Sequence, residues 1–243
     1  KRIFSDTPRL IFNDPCIQIV TVIFWGLFLI AGYLSYNTDV WPGFSEAVVG
    51  TEGLDQLRGS YSQFGGNRGI GSGAFMMGYY IQNNATIGLQ CFVMMLMVIP
   101  GFVVLSYNAI YLGAIFGFMF RPDSGAASEN FQNFVTAHGP FELTAIILAA
   151  GAGLKIGLSW VMAGGLNRKD SLLKTARESL PIVMCAVVLF VLAAVIEGFI
   201  SPLSDFPWWG KGTVAVGSSC LLMIYFVVLG YPAAWPGGEE DGL

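Results

Sequence analysis

Charged residues are scarce in this chain. They make up 12% of its 243 residues, whereas hydrophobic residues make up 54%. A soluble domain carries about twice that charged fraction, so we expect most of the chain to lie in a membrane. The net charge is only −4, which argues against nucleic-acid binding.

Histidine and paired cysteines are also lacking. The chain has one histidine, His138, which excludes a metal site built on several histidines. The four cysteines lie inside apolar runs and form no CxxC pair, which argues against a disulfide framework or a zinc site. The sequence therefore predicts no metal and no cofactor.

Motifs of known enzyme classes are missing as well. There is no HExxH and no Walker motif. The glycine-rich segment 69–73 has neither the context of a nucleophile elbow nor a surrounding βαβ unit. The sequence therefore predicts a protein that is not an enzyme.

Long apolar runs are what the sequence does contain. Most are long enough to cross a bilayer, and the shortest, 108–120, is interpreted as a crossing too. The runs are 16–34, 85–107, 108–120, 141–162, 180–200 and 212–235. They predict an all-α membrane bundle of six transmembrane segments.

The basic residues predict the orientation of this bundle. Seven lie before the first run or after the fourth, and four lie in the loops of the opposite side. Because basic loops stay in the cytoplasm, we expect both termini to be cytoplasmic, in the inner membrane of a bacterium.

Three parts follow from this arrangement. Residues 1–15 suit a short helix in the cytoplasmic interface. Residues 16–235 form the membrane domain, with a long glycine-rich outer loop at 35–82. Residues 236–243 form an acidic tail that we expect to be disordered.

A set of polar residues lies near the outer ends of the predicted spans. Two spans start and one ends at that side, so these side chains are expected at one membrane depth. They could form a hydrated vestibule, a cation or proton site, or an interhelical hydrogen-bond network. The set is Asn83, Asn84, His138, Glu142 and Glu197.

Structural interpretations compete for each member of this set. Asn83 and Asn84 could cap the second span. Glu142 could complement the helix dipole in a first turn, and His138 could mark a helix start. Glu197 could reach water from the helix end or be buried with a partner.

Small residues at helical spacing form a second pattern, which lets helices approach closely in lipid. These contacts could lie within one subunit or between copies, and we also expect the chain to self-associate. The residues are Gly113, Gly117, Gly153, Gly157 and Gly198.

Three further residues have a predicted place. Lys155 should reach the inner surface with its amine. Pro100 should kink the second span near its cytoplasmic end. Asn108 should lie in the tight turn between the second and third spans.

Several stretches resemble the stage II sporulation protein M family. They are Ile-Gln-Asn-Asn at 81–84, Asn-Ala-Ile-Tyr-Leu-Gly at 108–113, His-Gly-Pro-Phe-Glu-Leu at 138–143 and Ala-Ala-Val-Ile-Glu-Gly-Phe at 193–199. The resemblance implies a polytopic inner-membrane protein with no established catalytic activity. In endospore formers such proteins join a membrane-anchored complex that degrades peptidoglycan during engulfment.

Two functions are therefore weighed. The first is a non-enzymatic subunit or scaffold of a cell-envelope complex, with membrane lipids, envelope proteins and further copies of the chain as partners. The second is a channel or transporter component that uses the polar set.

Overall fold

The structure is a computed structural model that describes residues 2–62, 70–203 and 206–231. Its regular secondary structure over these residues is helical, without a strand. The α-helices are α1, Arg2–Phe12; α2, Pro15–Tyr36; α3, Phe44–Val49; α4, Thr51–Ser62; α5, Ile70–Met95; α6, Ile99–Met119; α7, Gly125–Val135; α8, Gly139–Val161; α9, Arg168–Phe199; and α10, Trp208–Met223. A 3₁₀-helix covers Pro122–Ser124, and α10 continues as a π-helix over Ile224–Val228.

Five helices have the length and hydropathy of a membrane span. They are α2, α6, α8, α9 and the continuous segment Trp208–Val228. The end of α5, Asn84–Met95, is a shorter apolar helix. The predicted all-helical bundle is therefore confirmed, with five helices long and apolar enough to cross a membrane, whereas a sixth span and cytoplasmic termini stay predictions.

The boundary between the second and third predicted runs was wrong. The run 85–107 is divided, because α5 ends at Met95 and α6 begins at Ile99. Val98 between them has a φ of 60°, which no helix accommodates. Pro100 follows in the first turn of α6, where its missing N–H costs no hydrogen bond.

The new boundary also corrects the predicted position of Asn108. It lies inside α6 rather than in a turn, and its amide donates to the Val104 carbonyl oxygen at 2.9 Å. Pro100 therefore starts a helix instead of kinking one.

The predicted capping role of Asn83 and Asn84 is corrected too. Because α5 begins at Ile70, both residues lie in the middle of this helix, not at its start. The segment 35–82, predicted as a loop, contains α3, α4 and the first half of α5. The glycines at 65, 66 and 69 and the tail 236–243 lie outside the described residues.

Helix α8 is the centre of the bundle. In its most apolar 18-residue window 78% of the residues are buried, against 11% in the corresponding window of the last span. It packs against α2, α5 and α9. The short loop between α8 and α9 makes these two neighbours antiparallel, so the start of α8 lies beside the end of α9.

Helix α1 lies against the other end of the bundle. It contacts α9 and the π-helical end of α10. Asp14 then caps α2 by accepting a hydrogen bond from the Cys16 backbone N–H at 2.9 Å.

Candidate functional site

Three ionisable side chains meet where α8 begins and α9 ends. His138 and Glu142 lie one turn apart at the start of α8, and Glu197 lies in the last turns of α9. One nitrogen or oxygen atom from each side chain lies within 4.8 Å of the other two. The antiparallel pairing of the two helices thus brings together residues that are distant in sequence.

His138 is held on two sides. Its Nδ1 lies 3.0 Å from the Ser201 hydroxyl, and the ring also hydrogen-bonds the Phe134 backbone. Its Nε2 lies 3.6 Å from the Glu142 carboxylate. His138 directly precedes the α8 span, and burial lowers the pKa of its imidazole to about 4. The ring is therefore neutral at pH 7 and keeps a nitrogen lone pair.

Glu197 is buried and has an amide partner. The side chain of Asn84 donates to Glu197 Oε2 at 3.2 Å, and both residues are buried. Helix α5 therefore contributes to the cluster from its middle. The side chain of Asn83 lies outside the described part of the structure.

Glu142 lies in the first turn of α8, the position that complements the helix dipole. Its side chain is 19% exposed, against 5% for His138. It is therefore both a first-turn carboxylate and the most accessible member of the cluster.

Two members of this network were not predicted. Lys211, one of the four basic residues predicted in the loops of the outer side, lies in α10 and is buried, and its ammonium donates to the Ser201 carbonyl oxygen at 2.8 Å. Ser201 thus connects Lys211 with His138. A lysine immediately before an apolar run was the available signal, since a cation there needs an internal acceptor.

A second polar site lies at the opposite end of α8. Lys155 Nζ lies 2.7 Å from the carboxylate of Asp14, which is buried. The sequence predicted that the amine of Lys155 reaches the inner surface, but it did not predict the ion pair with Asp14. The pair connects α8 to the start of α2.

A third polar site involves Arg121, which is buried after α6. Its Nε donates to the Ser35 carbonyl oxygen at 2.6 Å, and its guanidinium also donates to the Ser45 hydroxyl at 2.6 Å. A cation at the last carbonyls of a helix complements the helix dipole. This contact joins α6, α2 and α3.

The glycine stripes face neighbouring helices of the same chain. Gly113 and Gly117 on α6 lie against the α2 backbone at Phe28 and Gly32. On α8, Gly153 and Gly157 lie against the last residues of α5. Gly198 is buried in the last turn of α9. Four of the five glycines therefore serve contacts within one subunit.

The cluster of His138, Glu142 and Glu197 could accept a proton or a cation. Its donor set is one neutral imidazole and two carboxylates, and these groups bind divalent ions in proteins. The neighbouring amide, hydroxyl and ammonium groups hold the cluster in place.

Comparison with known proteins bears out the resemblance of the sequence stretches. No curated protein and no solved structure gives a match. The model of the family described as stage II sporulation protein M matches residues 20–202, which include α6, α8, α9 and all three members of the cluster. The chain is a multi-pass membrane protein that belongs to the stage II sporulation protein M family.

Proposed function

We propose that this protein is a non-enzymatic integral subunit of a bacterial cell-envelope complex. It resides in the inner membrane with both termini in the cytoplasm. Family membership and the five apolar helices support the membrane location. An apolar groove between α9 and α10 is the single observation that carries the role as a subunit.

The groove has a volume of about 560 Å³ and opens between two spans that barely touch each other. On α9 its wall extends from Leu180 to Leu192, which is about 18 Å of helix. On α10 and its π-helical continuation, the wall extends from Leu221 to Phe226. Thr7 of α1 contributes the remaining lining residue.

We assign this groove to a membrane-spanning helix of another envelope protein. Its lining carries no charged side chain, so it accepts an apolar segment. Its length covers more than half of a hydrocarbon core about 30 Å thick. Helices associate in lipid through close packing, and a groove between two spans offers more contact than one helix face.

Site-specific photo-crosslinking in native membranes tests this assignment. A photoreactive amino acid replaces Val188 in the groove, and a matched variant carries it at Val103 on α6. Both valines are more than half exposed, at 52% and 65%. We expect the Val188 variant to crosslink a protein within its apolar span, mapped by peptide mass spectrometry, and the Val103 variant to crosslink lipid.

A groove-filling substitution completes the experiment. Met184→Trp should abolish the Val188 adduct while leaving the amount of folded protein unchanged. Lipid adducts alone at Val188, or an adduct with a second copy of this chain, would overturn the assignment to a partner helix.

Self-association is a separate proposal. Because the described glycine stripes pack inside one subunit, an oligomer has to use another surface. Native mass spectrometry in mild detergent with lipids retained should detect it, and a chain found only as a monomer would refute it.

A second function, a channel or transporter component, is supported by the polar cluster. His138, Glu142 and Glu197 are the ionisable groups that a proton or cation pathway would use. In proteoliposomes Glu197→Gln would then abolish ion flux without loss of fold. Equal ion flux for the wild-type protein and the Glu197→Gln variant would exclude a pathway through this residue.

A further inference from the structure

The cluster of His138, Glu142 and Glu197 has a marked deficit of hydrogen bonds. A carboxylate has room for about four donors. Among the described residues, the two carboxylates together accept one hydrogen bond, from Asn84 to Glu197 Oε2. Glu197 is only 6% exposed, yet its oxygens are not among the described side-chain atoms that are both fully buried and without a hydrogen bond, so its carboxylate is open to a further ligand.

The cluster also has a deficit of positive charge. In the described part of the chain, no lysine or arginine forms an ion pair with either carboxylate. The nearby ammonium of Lys211 is directed to a backbone carbonyl of Ser201 instead. Two buried carboxylates this close together repel each other unless a proton or a cation lies between them.

Neighbouring groups orient the cluster in the manner of a metal site. Ser201 holds Nδ1 of His138, which leaves Nε2 facing Glu142. Asn84 holds one oxygen of Glu197 and leaves the other free. Metal-binding histidines and carboxylates are commonly fixed by such contacts on the atom that does not bind the ion.

The distances are close to those that a metal ion requires. Metal–ligand bonds of about 2.0–2.2 Å place tetrahedral ligand atoms roughly 3.3–3.6 Å apart. The Nε2–Oε2 distance between His138 and Glu142 is 3.6 Å, and the remaining ligand atoms lie within 4.8 Å. Small side-chain rotations would close the difference.

We propose that His138, Glu142 and Glu197 are the three protein ligands of a divalent transition-metal ion of the zinc class in the membrane domain. An imidazole with two carboxylates suits Zn²⁺ and similar first-row ions better than Mg²⁺ or Ca²⁺, which prefer oxygen ligands alone. Three protein ligands leave one coordination position open. The partial exposure of Glu142 leaves one side of the cluster open at the surface of the helix bundle.

Metal titration of the full chain in lipid nanodiscs tests this proposal. The affinity tag must lack histidine, because the chain has only one of its own. After treatment with a chelator, Zn²⁺ binding is measured by calorimetry, and Mg²⁺ serves as the comparison ion. We expect one Zn²⁺ per chain and no comparable binding of Mg²⁺.

Variants then locate the ion. Glu142→Gln and Glu197→Gln, which preserve shape, should each weaken Zn²⁺ binding by at least tenfold. Glu178→Gln makes the same change at an exposed position of α9 and should have no effect. Binding that stays unchanged in both cluster variants would overturn the proposal.

Spectroscopy supplies a readout independent of affinity. Co²⁺ in place of Zn²⁺ should give the visible absorption of a four-coordinate ion, and X-ray absorption should show one imidazole that His138→Ala removes. An octahedral ion without imidazole would refute the site. If His138→Ala does not fold, Ser201→Ala still tests the ring orientation, and it should weaken binding while sparing stability.

Discussion

Replacing Gly157 by alanine should separate α8 from the end of α5. A Cβ at this position would lie 2.6 Å from the Met95 carbonyl oxygen and 2.7 Å from that of Leu96. Ordinary contacts begin at 3.4 Å, so the helices have to move apart by about 0.8 Å, which is 3.4 minus 2.6. The atoms in the way are backbone, so no side chain can rotate to relieve the overlap.

The overlap allows the change in unfolding free energy to be estimated. Forcing extra volume into a packed contact costs about 1–3 kcal/mol. Alanine recovers about 0.5–1 kcal/mol through its higher helix propensity. The net loss of unfolding free energy should therefore lie between about 0 and 2.5 kcal/mol, with a midpoint of about 1.25 kcal/mol, which is roughly a tenfold change in the unfolding equilibrium.

Gly26→Ala in α2 is the matched control. It makes the same change inside a spanning helix, but a Cβ there meets nothing within 4 Å. Reversible unfolding by increasing SDS in mixed micelles, followed by tryptophan fluorescence, measures both variants. If Gly157→Ala is as stable as Gly26→Ala, the close approach of α8 and α5 is refuted.

Three further outcomes are expected. Lys155→Met should lower the unfolding free energy by about 1–3 kcal/mol, because the Asp14 carboxylate loses its cation. A double-mutant cycle with Asp14→Asn should show coupling between the two residues, and additive effects on the unfolding free energy would refute the ion pair. In metal-free buffer Glu197→Gln should keep its unfolding free energy, whereas Glu197→Leu should lose about 1–3 kcal/mol because the hydrogen bond between Asn84 and Glu197 is removed; equal stabilities would refute that hydrogen bond. A cysteine at Lys169 should react with a membrane-impermeant reagent only from the cytoplasmic side, and labelling from outside would overturn the topology.

The sequence predicted those parts of the fold that depend on long, unbroken apolar runs. Helices α2, α8 and α9 follow from unbroken apolar runs of sufficient length. The meeting of His138, Glu142 and Glu197 follows from chain direction, because α8 starts at the side where the next helix, α9, ends. Such geometry needs no knowledge of side-chain contacts.

The break between α5 and α6 could not be predicted in this way. Residues 92–99 are all apolar, so hydropathy does not mark the end of a helix there. Pro100 is compatible with both a kink and a first turn, and the positive φ of Val98, which shows that a helix ends before it, is visible only in the structure.

The partners of Lys155 and Lys211 could not be predicted from the sequence either. Lys155 pairs with Asp14 from a different helix, and Lys211 uses a backbone carbonyl that no sequence pattern identifies. A sequence indicates that a buried charge needs a partner, but the partner depends on which helices are neighbours.

Helix α8 holds the two polar sites a fixed distance apart. Lys155 comes thirteen positions after Glu142, which is about 20 Å along the helix. If α8 is centred in a hydrocarbon core about 30 Å thick, each site lies about 5 Å below one surface of the bilayer. Each site is closed by a residue from the end of another helix, Glu197 of α9 or Asp14 before α2. Both ends of α8 are thus fixed by rigid elements, so the spacing of the proposed metal ligands is set by helix packing and not by a loop.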